Sequence, residues 1–384
     1  MPLLPFIYLA FISLGLPDSA LGSAWPAMYP NLGAGVSWAG FIFSIISLGT
    51  ITSSVLSLDV VRRLGTGKTT ALSVATSACA LFGFSNCTAF WQLCLWAIPY
   101  GLGAGAVDAA LNSYVAIRYA SRHMSWLHCM WGVGASVGPM VMSWRMTGGS
   151  WRDGYLTIGL IQMAIMVVML ISLPLWQRDV VTTTDTKREK TTRQSRRELL
   201  RVPGVKELLV GFFFYSAVEG ACGNWASSYF HLARGIDAQT AAGLAAALFI
   251  GVTIGRAISG FLTYRLSDKT LIRLGQTVIG VGAILLLLPL PGSMGLAGLL
   301  LMGLGCAPIY PCIIHCAPGY FGEENSLALT GMQMACANAG MLVMPPLLGL
   351  IMQFLSPTLY PVYVIAALAI MTVMTETVNR KVEA

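Results

Sequence analysis

Apolar runs of about 20 residues, parted by short polar breaks, recur along the whole chain. Wound as a helix at about 1.5 Å per residue, such a run spans the roughly 30 Å hydrocarbon core of a bilayer. Twelve runs can be drawn, at residues 4–29, 36–57, 68–86, 89–117, 125–147, 152–176, 207–232, 239–264, 271–289, 293–317, 326–354 and 358–377. The one long polar segment is 178–206, rich in Thr, Lys, Arg and Glu. The pattern predicts an all-α integral membrane protein with twelve transmembrane helices. Residues 1–177 form an N-terminal six-helix bundle, 178–206 a cytoplasmic basic linker with room for a short surface helix, and 207–384 a C-terminal six-helix bundle.

The two halves repeat one another. Gly49 to Lys68 aligns without a gap on Gly251 to Thr270, 202 residues later, and Gly101-Leu102-Gly103 meets Gly303-Leu304-Gly305 at the same offset. Asp18-x-x-x-Gly22 meets Glu219-x-x-x-Gly223 at 201, and Gly134 with Pro139 meets Gly340 with Pro345 at 206. A parallel repeat of six plus six spans is the arrangement of transporters whose substrate site lies between the halves.

Composition agrees with the pattern. The chain is 56% hydrophobic and 10% charged, against roughly 25% charged in soluble domains. Its net charge of +7 is spread between apolar runs, so no nucleic-acid footprint is expected. Of 23 Lys and Arg, only Arg145, Arg152, Arg234 and Arg256 fall outside the linker, the tail and the loops that follow spans 2, 4 and 8. Basic loops mark the cytoplasmic face, which places both termini there. The nine cysteines lie mostly in apolar runs, where Cys behaves as a small hydrophobe. Cys312, His315 and Cys316 lack the further ligand and the paired motif of a zinc site. No metal or cofactor is expected. Trp38, Trp91, Trp151 and Trp176 near span ends read as an interfacial belt.

Three acids sit inside apolar runs: Asp18, Asp108 and Glu219. Each is about 15–22 Å from the cytoplasmic side of the core, where a transporter binds its cargo. Acids at that depth are costly and line ion or substrate paths more often than they merely hold helices together. A carboxyl that gains and loses a proton as its cavity changes sides is what a proton-coupled symporter needs. Asp108 and Asn112, four residues apart, share one helix face beside glycines that allow close helix approach. Arg256 is the one cation inside a span and a candidate partner for these acids. An unperturbed histidine titrates near the physiological range, so His128 reads as a proton relay or cargo contact, or equally as a packing residue. Trp25, Trp131 and Trp225 are deep enough to stack on a sugar ring or to fill the core. Asn224, Asn338, Gln162 and Gln333 are further polar candidates.

Twelve spans, a basic central loop and the repeated Gly/Arg segments resemble the major facilitator superfamily. The family's loop signature is present in altered form from Leu58 to Lys68, with Arg62 where an acid is expected and Asp59 three residues earlier. Gly260 to Lys269 keeps the Gly, Arg and Lys of the second copy. The resemblance implies a latch of the cytoplasmic ends in the outward-open state, built here from Asp59, Arg63, Arg256 and Arg265. Gly101 to Asn112, Met124 to Pro139 and Tyr215 to Trp225 resemble span 4, 5 and 7 segments of the fucose–galactose–glucose:proton symporter (fucose permease-like) branch, with Ser125 in place of an Asn. In that branch an acid at the Asp108 position helps to couple the proton near the sugar, and an acid in span 1 also matters, which points to Asp18.

The expected function is secondary active transport of a small polar solute, such as a sugar, coupled to protons by alternating access. Asp18, Asp108 and Glu219 would bind proton and cargo, with Asn112, His128, Asn224, Trp225, Trp131 and Asn338 contacting cargo. An exporter of amphipathic compounds shares the fold and would need a larger, more apolar cavity. A sensor that binds without moving its ligand would show binding and no flux. No nucleophile elbow, phosphate loop or paired metal motif points to an enzyme. The expected partners are a small-molecule substrate, H⁺ and the lipid bilayer, and the chain is expected to be a monomer.

Overall fold

The computed structural model describes residues 3–119, 121–176, 196–288, 292–322 and 325–383. Each of the twelve apolar runs lies on helix. The elements are α1 Leu4–Asp18, α2 Ala20–Asn31, α3 Ala39–Leu64, α4 Thr66–Ser85, α5 Phe90–Arg118, α6 Ser121–Met146, α7 Trp151–Trp176, α8 Arg196–Leu199, α9 Val205–Arg234, α10 Ala238–Leu262, α11 Asp268–Leu287, α12 Gly292–Phe321, α13 Ser326–Phe354 and α14 Tyr360–Glu383. Most of the expected linker lies outside the described residues; α8 occupies its end.

Among the described residues nine spans are both long and apolar enough to cross a bilayer. The runs at α4, α6 and α9 are not among them, because their polar residues dilute the hydropathy. Those residues turn inward: Thr69, Thr70, Ser73 and Ser77 of α4 and Ser227 and Ser228 of α9 are buried. The outer faces are apolar instead. On α5, Trp91, Leu95, Ile98 and Leu102 form an exposed stripe at helical spacing. A stripe of this kind suits lipid, where apolar surface has no reason to hide.

Helices α1 to α7 pack on one another, and so do α9 to α14. The packing follows the repeat. On α3, Gly49 lies so close to Gly101 of α5 that an added Cβ would stand 3.1 Å from its backbone. On α10, Gly251 stands 3.1 Å in the same sense from Gly303 of α12. Gly134 lies against the Ile12 carbonyl and Gly340 against the Phe213 carbonyl, again equivalent pairs. Small residues recur at these offsets because the same helix crossings recur, each needing backbone-to-backbone contact that a larger residue would block.

The two sets meet through α2 on α9, α6 on α10 and α3 on α13. The hydrogen bonds between described residues of the two sets lie at mid-span or in the half away from the termini. Ser227 Oγ donates to the Ser23 carbonyl at 2.8 Å. The Ser37 amide donates to Gln353 Oε1 at 2.7 Å. Gln239 Nε2 donates to Thr147 Oγ1 at 2.9 Å. Gly22 packs on the backbone of Asn224, with only 2.7 Å left for a Cβ. Near the termini the ion pairs between described residues stay within one set, among them Asp59 with Arg62 at 3.7 Å, Asp268 with His315 at 2.6 Å, and Lys381 with Glu207 at 2.7 Å.

Two expected belt residues are placed otherwise. Trp151 and Trp176 are buried, Trp151 under Arg152 and Trp176 against Gly67. A span-end position alone does not say which way an indole turns.

Candidate functional site

The first span breaks where Asp18 stands. Pro17 has no N–H, so the helical hydrogen bond to the Ser13 carbonyl cannot form; α1 ends at Asp18 and α2 begins at Ala20. Gln162 of α7 supplies the missing donor, its Nε2 bonding the Ser13 carbonyl. This gives Gln162, expected as a polar candidate, a backbone-capping role. Gln162→Leu would leave a buried carbonyl unpaired beside Asp18, at about 1–3 kcal/mol. The expected result is a lower melting temperature in detergent; an unchanged one would remove the role.

Both oxygens of Asp18 are engaged by neutral donors. Tyr100 Oη of α5 donates at 2.5 Å and Trp131 Nε1 of α6 at 2.8 Å. The face of the same indole carries a cation from the other set, with the Arg256 guanidinium carbon 5.0 Å from a ring centroid. Arg256 Nη1 donates to the His128 carbonyl at 3.1 Å, and Nη2 stands 3.7 Å from Glu219 Oε1. A chain of contacts thus runs Asp18, Trp131, Arg256, Glu219, from one set of helices to the other. Trp131 can join an anion to a cation because its N–H edge donates while its ring face attracts positive charge.

The remaining predicted residues fall around this chain. Asn112 Nδ2 donates to Asp108 Oδ1 at 2.9 Å, as their spacing on one helix requires. The His128 ring packs edge-on to Phe11 with centroids 5.8 Å apart. Asn338 is exposed on a face of α13 shared with Gly331 and Ala335, about a third of a turn from the apolar stripe Val343, Leu347, Leu350. Trp225 is not at an open surface: it is 0% exposed, its Nε1 donates to the Pro345 carbonyl at 2.8 Å, and Phe43 packs on it. In this structure the indole packs between α3 and α13. The Asn224 backbone packs on Gly22 across the set boundary.

A family model described as Major Facilitator Superfamily matches residues 7–295 and again 238–378. The chain belongs to the Major Facilitator Superfamily. It is accordingly a multi-pass integral membrane protein, in a family of transporters rather than enzymes. A curated relative, Bypass of stop codon protein 6 of Saccharomyces cerevisiae, is 22% identical over 286 residues, 67% of this chain and 56% of that protein. The 4-hydroxybenzoate transporter PcaK of Acinetobacter baylyi is 23% identical over 192 residues, 49% of this chain and 41% of that protein. The chain spans about half the length of these curated relatives. Among solved structures, one of the nucleoside transporter NupG superposes with a TM-score of 0.73 at 14% identity, covering 98% of each chain. A bacterial homolog of the human lysosomal transporter Spinster, inward-facing and occupied, gives 0.67 at 12% identity, covering 99% of this chain and 95% of that one. At these identities the likeness is one of fold.

Within this superfamily fold one expected gate residue is displaced. Arg256 stands at mid-span beside Glu219, His128 and Trp131, not at the bundle ends with Asp59, Arg63 and Arg265, which are all exposed. Its place six residues before the end of α10, about one turn before the signature begins at Gly260, sets it inside the span, which is why it meets the acids instead. Among the described residues no group of three or more His, Cys, Asp or Glu is arranged to hold a metal. His315 meets Asp268 at 2.6 Å.

Two tyrosines were missed in the sequence. Tyr100 holds Asp18, and Tyr310 lies within electrostatic reach of both Asp108 and Glu219. A signal for Tyr310 existed: it stands 202 residues after Asp108, at the offset that relates Gly101 to Gly303. The repeat gives one half a carboxyl and the other a phenol at the same depth.

Proposed function

We propose that the chain is a twelve-span, two-bundle secondary transporter that carries a small polar solute of the sugar class together with protons by alternating access. Both termini lie in the cytoplasm. One observation carries the reading: an acid of each bundle, Asp18 and Glu219, is tied to the other across the bundle boundary through Trp131 and Arg256. Protonating either acid changes what holds the bundles together, and rocking the bundles changes what each acid meets. That reciprocity is what coupling requires. The inter-bundle bonds lie at mid-span and on the far side from the termini, which supports an arrangement open to the cytoplasm. The groups meeting at mid-span are charged and polar, which favours a polar solute over the amphipathic compounds of an exporter.

The test is uptake of radiolabelled sugars into vesicles under an imposed pH gradient. Asp18→Asn is expected to lose gradient-driven accumulation while remaining folded, since the amide fills the same space. Undiminished accumulation would remove the proton role of Asp18.

A further inference from the structure

The polar groups at mid-span have spent their hydrogen-bonding capacity unequally. Asp18 receives two donors and Asp108 receives Asn112. Arg256 carries five N–H donors, yet among described residues only Nη1 makes a hydrogen bond, and that to a backbone carbonyl. Its contact with Glu219 at 3.7 Å is an ion pair too long for a hydrogen bond. Both side chains keep accessible surface, 17% for Arg256 and 23% for Glu219. Trp131 covers one face of the guanidinium, leaving its edge for a guest. A planar fork of donors with charge is matched by a carboxylate, which accepts two parallel N–H bonds.

We infer that Arg256 is the docking point for a carboxylate on the cargo, and that Glu219 yields the guanidinium to it by taking up a proton. This rests on the transport reading above and narrows the cargo to a polyhydroxylated carboxylic acid, a sugar acid rather than a neutral sugar. The exchange balances: the cargo oxygens take the N–H bonds, the proton goes to a Glu219 oxygen, and the ion pair that breaks is replaced by the one that forms. One anion and one proton enter together, so the site's net charge is unchanged.

The surroundings make the proton necessary. Arg256 is faced by His128, Cys129 and Trp131 from α6, by Glu219 and Tyr215 from α9, and by Cys306 and Tyr310 from α12. Asp18 lies behind Trp131, and Asp108 is within electrostatic reach of Tyr310. Three ionised acids around one guanidinium would repel an incoming anion; protonating the acid nearest to Arg256 removes the strongest repulsion. A neutral sugar needs no such trade.

The experiment measures binding to the purified full chain in detergent by thermal stabilisation and calorimetry, with two matched pairs of probes: D-glucuronate against D-glucose, and D-gluconate against D-sorbitol. At least one carboxylate is expected to bind and its neutral mate to fail. Its affinity should rise by roughly tenfold per pH unit as pH falls from about 8 to about 6, the slope for one bound proton. Glu219→Gln, which mimics the protonated acid, should bind the same probe with that slope gone. Arg256→Gln should lose the preference for the carboxylate, and Arg256→Lys should keep part of it. The inference is overturned if neither carboxylate binds, if neutral mates bind as well, or if Glu219→Gln keeps the slope. Neutral-sugar binding with gradient-driven uptake would overturn it and leave the transport reading intact. Carboxylate selectivity without gradient dependence of uptake would do the reverse.

Discussion

Glu219→Gln is expected to abolish uphill transport while leaving exchange of cargo across the membrane. A pH difference of one unit is worth about 1.4 kcal/mol per proton, enough for roughly tenfold accumulation when one proton moves with each cargo molecule. The variant should fall to no accumulation at all, because the amide cannot carry a proton from one side to the other. Counterflow, in which labelled cargo outside exchanges for unlabelled cargo inside, asks only that the loaded site change sides. It should persist. Gln keeps the volume of Glu and its carbonyl can still face Arg256, so the contact through Trp131 to Asp18 is retained. Vesicles are assayed with and without a pH gradient. Accumulation at the wild-type level would show that the proton travels elsewhere, and loss of counterflow as well would make Glu219 a structural residue.

Gly22→Leu is expected to prevent closure of the face away from the termini. At Gly22 a Cβ alone would stand 2.7 Å from the Asn224 carbonyl oxygen and 2.8 Å from its Cα. Backbone cannot move aside as a side-chain tip can. Overpacking typically costs about 1–3 kcal/mol, which moves a two-state equilibrium by roughly 5- to 150-fold. That strain exists only while α2 and α9 are pressed together, so it falls on one state of the transporter. The neighbouring contact offers the readout. Ser23, next to Gly22, meets Ser227, about one turn on from Asn224, the Ser227 hydroxyl on the Ser23 carbonyl at 2.8 Å. Cysteines at both positions should crosslink readily in the otherwise unaltered chain and slowly in the Gly22→Leu background, with transport reduced in step. Equal crosslinking in both backgrounds would mean that the closed face does not depend on this approach.

Much of the fold was legible because lipid imposes a simple rule: a segment must be about 20 residues long, apolar, and bonded to itself. All twelve runs fell on helix within a few residues. The glycine repeat was legible for a related reason, since Gly49, Gly101, Gly251 and Gly303 mark crossings that tolerate nothing larger. The Asp108–Asn112 contact could be read directly, because helical geometry fixes what lies four residues away.

What joins distant spans was not legible. Nothing in the sequence around Tyr100, Trp131 or Gln162 says that the first holds Asp18, that the second bridges Asp18 to Arg256, or that the third caps the carbonyl freed by Pro17. Arg256 belonged to the loop latch by nearness in sequence, and packing placed it with the acids. Trp225 looked like a cargo contact by its neighbours, and rotation about the α9 axis buried it against Pro345 and Phe43. The sequence by itself determined where the apolar helical runs fall, where its halves correspond, and which ionisable residues lie inside those runs. The tertiary structure decided which of those residues meet, because the partners sit on different helices, Tyr100 and Trp131 being 82 and 113 residues from Asp18, and only the rotation and crossing of packed helices brings one face to another.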